Sequence, residues 1–217
     1  MNIKKIIDLS MPITAQTPIY PGDPKPHIES AATFAENGYH VSRLVLSSHT
    51  GTHVDAPFHF REDGLRIDEV PLTYFLGKGI VIDVTGKNDG EAVTLDDVNA
   101  HLPRLKPGMI VLFYTGWSQY AKTERYFRHP YIALDVIQAM LGRGIRTFFI
   151  DALNIDPPDG SSFPAHEAIT TVNGVIGENF TNFDKIDFAD PYIIALPLYL
   201  PESDGSPVRA VAIEFED

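Results

Sequence analysis

Within eleven residues, His49 to His59, the chain places three histidines and one carboxylate in the string Ser48-His49-Thr50-Gly51-Thr52-His53-Val54-Asp55-Ala56-Pro57-Phe58-His59. Imidazoles crowd together cheaply only where something shares their lone pairs, and a divalent metal is the usual sharer. The spacing limits which backbone can do this. On a straight strand, His49 and His53 would stand roughly 13 Å apart, too far for one ion. On a helical turn, residues four apart approach to about 6 Å, but Pro57 forbids a long regular helix. Gly51 frees the backbone to curl. The expected form is one tight turn that presents His49, His53 and Asp55 to a common point, with His59 just beyond it.

Composition narrows the chemistry. Cysteine is absent, so any metal must be held by nitrogen and oxygen ligands. Acids outnumber Lys and Arg by 29 to 17, a net charge of −12. With no basic run as well, neither nucleic acid nor an anionic membrane is an expected partner. No apolar run reaches the roughly eighteen residues of a membrane span, and residues 1–13 lack the apolar stretch of a signal peptide. A cytoplasmic enzyme is expected. At 217 residues and 44% hydrophobic, the chain reads as one domain, residues 1–217, able to bury its own core.

Local pattern predicts an α/β fold. Ile3, Ile6, Ile7 and Leu9 suggest a first strand leading into a proline-rich loop, Pro12 to Pro26. There Tyr20-Pro21-Gly22-Asp23-Pro24 reads first as a surface turn, and alternatively as a stiff loop holding Tyr20 over a pocket. Val41 to Ser47 predicts a strand that would carry the histidine cluster on a rigid element. Short apolar runs predict buried strands at 79–84, 109–114 and 145–151. Thr94 with Asp96 and Asp97 opens a predicted helix to about Leu102. Leu134, Ile137, Met140 and Leu141 recur at helical spacing before Gly142, so 109–151 forms a βαβ unit. Trp117 and the segment after Asp151 follow strand ends and become pocket candidates. Pro164 to Ile169 reads as a helix with proline in its first turn. The runs 192–200 and 208–215 read as a closing hairpin.

His49, His53 and Asp55 supply three ligands, and Asp55 has a second oxygen for another ion. Among the other histidines, His27, His40, His101 and His129 are as available as His166. We favour His166, in a short helix after a strand–loop connection, with Glu178 as its carboxylate partner.

The string His49-Thr50-Gly51-Thr52-His53-Val54-Asp55-Ala56-Pro57-Phe58-His59 resembles the signature of the cyclase family of metal-dependent amide hydrolases, which includes bacterial arylformamidases and isatin hydrolases. Further landmarks follow in order: Tyr20-Pro21-Gly22-Asp23, Phe163-Pro164-Ala165-His166, Glu178, and Ser206-Pro207-Val208-Arg209-Ala210. The resemblance implies a swivelling β/β/α-type mixed sheet with flanking helices, assembled as a homodimer or homotetramer. It implies hydrolysis of a small-molecule amide, an arylformamide such as N-formylkynurenine or a cyclic amide such as isatin. It also implies two zinc or manganese ions per subunit: one on His49, His53 and Asp55, and a second on Asp55, His166 and Glu178. His59 would be the acid/base. Tyr20 stands where the family commonly has Trp, and Asn154 where Ser is common; both bear on the substrate, not on the metal chemistry. Tyr20 and Trp117 would offer flat faces to an aromatic amide, and Arg209 would bind a substrate carboxylate or form an internal salt bridge.

Two alternatives remain at this level. His53-x-Asp55 with a distant histidine imitates the ligand face of a non-haem iron oxygenase, though this leaves His49 and His59 without work. A non-catalytic metal- or ligand-binding module would keep the same fold.

Overall fold

A computed structural model describes residues 2–216. The chain begins with β1 (Ile3–Asp8), then β2 (His27–Ala32), the single-turn α1 (Phe34–Asn37), β3 (Val41–Val45) and β4 (His53–Asp55). The centre of the sheet follows, with β5 (Leu76–Asp83), β6 (Ala92–Val93), α2 (Leu95–Val98), β7 (Ile110–Tyr114), β8 (Tyr131–Ile132), α3 (Leu134–Leu141) and β9 (Thr147–Ile150). Last come α4 (Pro164–Thr171), β10 (Val175–Glu178), β11 (Tyr192–Ile194), β12 (Gly205–Pro207) and β13 (Val211–Phe215).

Nine strands form one mixed sheet in the order β1-β13-β11-β5-β7-β9-β10-β4-β12. Its middle, β5-β7-β9-β10, is parallel, and both flanks are antiparallel. A parallel sheet covered on both faces needs apolar residues on both faces, which is why β7 reads Ile-Val-Leu-Phe without alternation. Val111 and Phe113 point into the core under α3 and α4, with Ile137, Met140 and Ile169. Ile110 and Leu112 point the other way, against Leu9, Phe75 and Phe180. The α/β single-domain expectation holds as a large curled sheet with few helices, and the predicted βαβ unit is present as β7-α3-β9.

Three local expectations change. The strand at 41–45 is real, but it pairs only with β2, and all five of its residues are exposed. It is a projecting ribbon, not the rigid carrier of the cluster. The helix at 95 stops after Val98, and Leu102 and Pro103 instead open a separate 3-10 turn over 102–104. The apolar run 192–200 pairs with β13 only over its first three residues, Tyr192–Ile194. Its remainder loops out, leaving Leu198 and Tyr199 exposed, and β12 intervenes to pair with β4 instead.

Candidate metal centre

The cluster string is half turn and half strand, not one tight turn. Residues 48–52 curl with Gly51 at φ +66° and carry His49. The next three residues are β4, held between β10 and β12. Strand period two then sends His53 and Asp55 to one face while Val54 enters the apolar core on the other. The neighbouring strand β10 places Glu178 directly opposite His53. His166 arrives from α4. Its place is fixed by Asp156, whose carboxylate accepts the first backbone N–H groups of that helix, Ala165 at 2.7 Å and His166 at 2.9 Å.

The donor atoms converge in two groups sharing Asp55: His49, His53 and Asp55, and Asp55, His166 and Glu178, each spanning no more than 4.8 Å. His49 Nδ1 lies 2.8 Å from Asp55 Oδ1, and His53 Nε2 lies 3.3 Å from the same oxygen. His166 Nε2 is 3.6 Å from Asp55 Oδ2 and 3.6 Å from Glu178 Oε1. Each imidazole is backed on its other nitrogen. His53 Nδ1 donates to Gly51 O at 2.8 Å, His166 Nδ1 to Asp156 Oδ2 at 2.7 Å, and His49 Nε2 to Asp204 Oδ2 at 2.8 Å. That pattern turns the free nitrogen of each ring toward its own donor group, as outer partners of metal ligands do.

Two observations test whether a cation fits. Asp55 Oδ2 is buried with no hydrogen-bond partner, an arrangement that costs free energy unless something positive approaches it. The charges are also unbalanced without one. Burial works to lower the His49 pKa, yet Asp55 and Asp204 outweigh it and push the ring up to about 11. Burial likewise opposes His166, yet Asp156, Glu178 and Asp55 push it up to about 10. Burial and the charge of Asp55 push Glu178 up to about 8. A divalent cation replaces protons held this way, and a donor set of imidazole and carboxylate without thiolate is one that divalent metals take. The residues fit a metal.

Above the donors lies a cavity of about 280 Å³, walled by Tyr20, Phe60 and Phe163 and floored by His59, His166 and Glu178. Phe60 and Phe163 lie with centroids 5.3 Å apart and ring planes tilted by 57°, and the Phe60 centroid is 4.5 Å from that of the His166 ring. The walls suit a flat aromatic group. His59 sits at the end of a 3-10 turn, Pro57–His59, with its ring 4.1 Å from that of His49. Its Nδ1 donates to Asp204 Oδ2 at 3.1 Å, which leaves Nε2 for the cavity.

The structure brings His49, His53, Asp55, His59, His166, Glu178 and Tyr20 together at this site. It does not bring Trp117 or Arg209. Trp117 is 2% exposed, its Nε1 donating to Arg125 O at 3.2 Å, because the 3-10 turn after β7 rolls the indole under the sheet. Arg209 is exposed and makes a two-pronged ion pair with Asp8 at 2.8 and 2.6 Å. The antiparallel register of β1 with β13 delivers Asp8 to it. Asp204, Asp156 and Phe60 were not singled out in the sequence. Asp204 lies 155 residues from His49 in a Pro/Glu/Ser/Asp/Gly turn that carries no local signal of its role. The alternatives His27, His40, His101 and His129 are outside the site.

Asp156→Asn is expected to weaken metal affinity about 10–100-fold, the usual effect of losing a ligand's outer partner. Chelator competition on the folded variant measures this, and an unchanged affinity would detach Asp156 from the centre.

Buried imidazole and carboxylate donors opening onto an aromatic cavity, on a curled mixed sheet, define the class: a metal-dependent hydrolase. A family model described as "Putative cyclase" matches residues 7–157. The chain belongs to the cyclase family. It is 33% identical to the kynurenine formamidase of Bacillus cereus, over 97% of this chain and 98% of that one. Isatin hydrolase A from Labrenzia aggregata superposes with a TM-score of 0.89 at 25% identity, covering 98% of this chain and 94% of that chain. A protein described as a potential metal-dependent hydrolase with cyclase activity superposes with a TM-score of 0.82 at 27% identity, covering 98% and 99%. No helix among the described residues is long and apolar enough to cross a membrane.

Proposed function

We propose that this site hydrolyses the amide of a small aromatic molecule, an arylformamide or a cyclic aryl amide, with zinc or manganese as the resident metal. One ion would rest on His49, His53 and Asp55, and a second on Asp55, His166 and Glu178. The observation that carries the reading is Asp55, whose buried Oδ2 has no hydrogen-bond partner at the junction of both donor groups. The names of its relatives, kynurenine formamidase and isatin hydrolase, agree with an amide C–N bond as the target. The iron-oxygenase alternative gives His49 no work, whereas here His49 faces Asp55 at 2.8 Å.

A divalent cation supplies Lewis acidity, bringing the pKa of water to about 7 and polarising a carbonyl. The chain supplies the rest. Tyr20, Phe60 and Phe163 hold the ring and exclude water from it. Asp204 fixes the His59 ring through Nδ1, so that Nε2 takes a proton from the attacking water and hands it to the leaving nitrogen. The C–N bond breaks, the water oxygen joins the carbonyl carbon, and a carboxylic acid and an amine result. The test is metal analysis of the purified protein, followed by turnover of formanilide, N-formylkynurenine and isatin. Hydrolysis of at least one is expected with metal bound; a metal-loaded protein inert toward all three would sink the reading.

Self-association as a homodimer or homotetramer belongs to the same proposal. The β2–β3 ribbon exposes Ile28, Val41, Leu44 and Val45, and a two-stranded ribbon alone is marginally stable in water. A second copy covering it would bury this apolar surface. Light scattering is expected to give a mass of two or four chains, and Leu44→Asp to shift it toward one.

A further inference from the structure

The cavity's charge inventory reaches beyond amide hydrolysis as such to the kind of substrate. No Lys or Arg lines the cavity among the described residues. Lys25, the nearest cation in sequence to the Tyr20 loop, is exposed and not among the lining residues. The lining does include Asp23, half-buried while the ligands His53 and Glu178 are almost wholly enclosed. The backbone N–H of Asp23 is tied to Tyr20 O at 3.0 Å, which fixes the residue at the rim. Its carboxylate has no hydrogen-bond or ion-pair partner among the described residues, unlike Asp159 nearby, which Ser161 occupies. The Tyr20 phenol, on the same loop, is held above its ordinary range by burial and then by Glu178, Asp23, Asp159 and Asp156. The open end of the cavity is therefore negative, and one of its carboxylates is uncommitted.

Because Asp23 is the half-buried carboxylate of the lining and the donors are its enclosed part, the substituents that an amide carries away from those donors come nearest Asp23. A carboxylate there meets Asp23 with no Lys or Arg in the lining to offset the repulsion, whereas an ammonium gains a partner. Resting on the amide-hydrolase reading above, we propose that the substrate is an aryl formamide bearing an amine and no free carboxylate, with Asp23 as the residue that recognises the ammonium. An α-amino acid substrate such as N-formylkynurenine is then handled poorly, despite the likeness to kynurenine formamidases.

Three probes share one reacting end and differ only at the far end: 2′-formamidoacetophenone (neutral), N-formylkynuramine (amine) and N-formylkynurenine (amine and carboxylate). With metal-loaded wild type, kcat/KM is expected to favour the amine over the neutral probe by roughly fivefold, as a part-exposed ion pair allows, and to be lowest for N-formylkynurenine. Ratios within one variant cancel any loss common to all substrates. In Asp23→Asn the amine-to-neutral ratio should fall toward one, and in Asp23→Lys it should drop below one while N-formylkynurenine rises relative to the amine. The proposal is overturned if wild type prefers N-formylkynurenine, or if both variants leave the ratios where they were. Hydrolysis of isatin with none of the three probes accepted would remove this substrate class but keep the amide reading; no hydrolysis of isatin or any probe would remove both.

Discussion

Replacing His59 with alanine is expected to lower kcat by about 10²–10⁴-fold, the range of a positioned acid/base, with the metal still bound and KM little changed. The expectation rests on where the ring sits. His59 lines the cavity and is hydrogen-bonded through Nδ1 to Asp204, yet it belongs to neither of the donor groups that share Asp55. A competing geometry exists, because His59, His49 and Asp204 also converge within 4.8 Å. The two readings part in one measurement. Metal content of His59→Ala by mass spectrometry, taken beside kcat, shows an intact centre if His59 carries protons. Metal and activity lost together would make His59 a ligand.

Chelation is expected to have the second large effect, abolishing turnover and lowering the melting temperature together. Asp55, His53, His166 and Glu178 are each at most 4% exposed, so a cation leaving them removes the charge that an enclosed donor set faces. An ion at about 1,000 times its Kd stabilises the native state by about 4 kcal/mol. At 2–4 °C per kcal/mol for a chain of this length, that is a drop of roughly 8–16 °C. Binding must also displace the protons that His49 and His166 hold up to about 11 and about 10 and Glu178 up to about 8. Affinity therefore climbs as pH rises and weakens in acid. Thermal melts with and without EDTA, restored by zinc or manganese, read this directly. A melting curve indifferent to chelator would show that the centre holds no structural charge.

The parts legible in the sequence are those whose physics is local. The Ile110–Tyr114 strand and the Leu134–Leu141 helix announce themselves because burial on two faces and burial on one stripe leave different periods in the chain. His49, His53, Asp55 and His59 are legible because they lie within eleven residues. His166 and Glu178 could be favoured from a helix after a strand–loop connection, but only the family resemblance set them firmly apart from other histidines and acids; spacing alone does not join residues more than a hundred positions apart. Val41–Val45 shows the limit for strands. Branched residues indicate extended backbone, but not whether the partner is the main sheet or one lone neighbour. Trp117 and Arg209 show the limit for sites. A residue's chemistry says what it could bind, while its direction depends on a turn or a cross-strand register. Asp204 was illegible for the same reason, being set beside His49 by the pairing of β12 with β4.

That wide scatter of donors along the chain has a consequence for how the protein is made. During synthesis the first half of the centre emerges with residues 49–55, but the second half waits for residues 166 and 178, and the brace on His49 waits for residue 204. A nascent chain therefore holds at most a loose grip on any cation until its carboxyl-terminal third has left the ribosome. The donor set is therefore complete only when the carboxyl-terminal third has folded against the strand that carries His53 and Asp55.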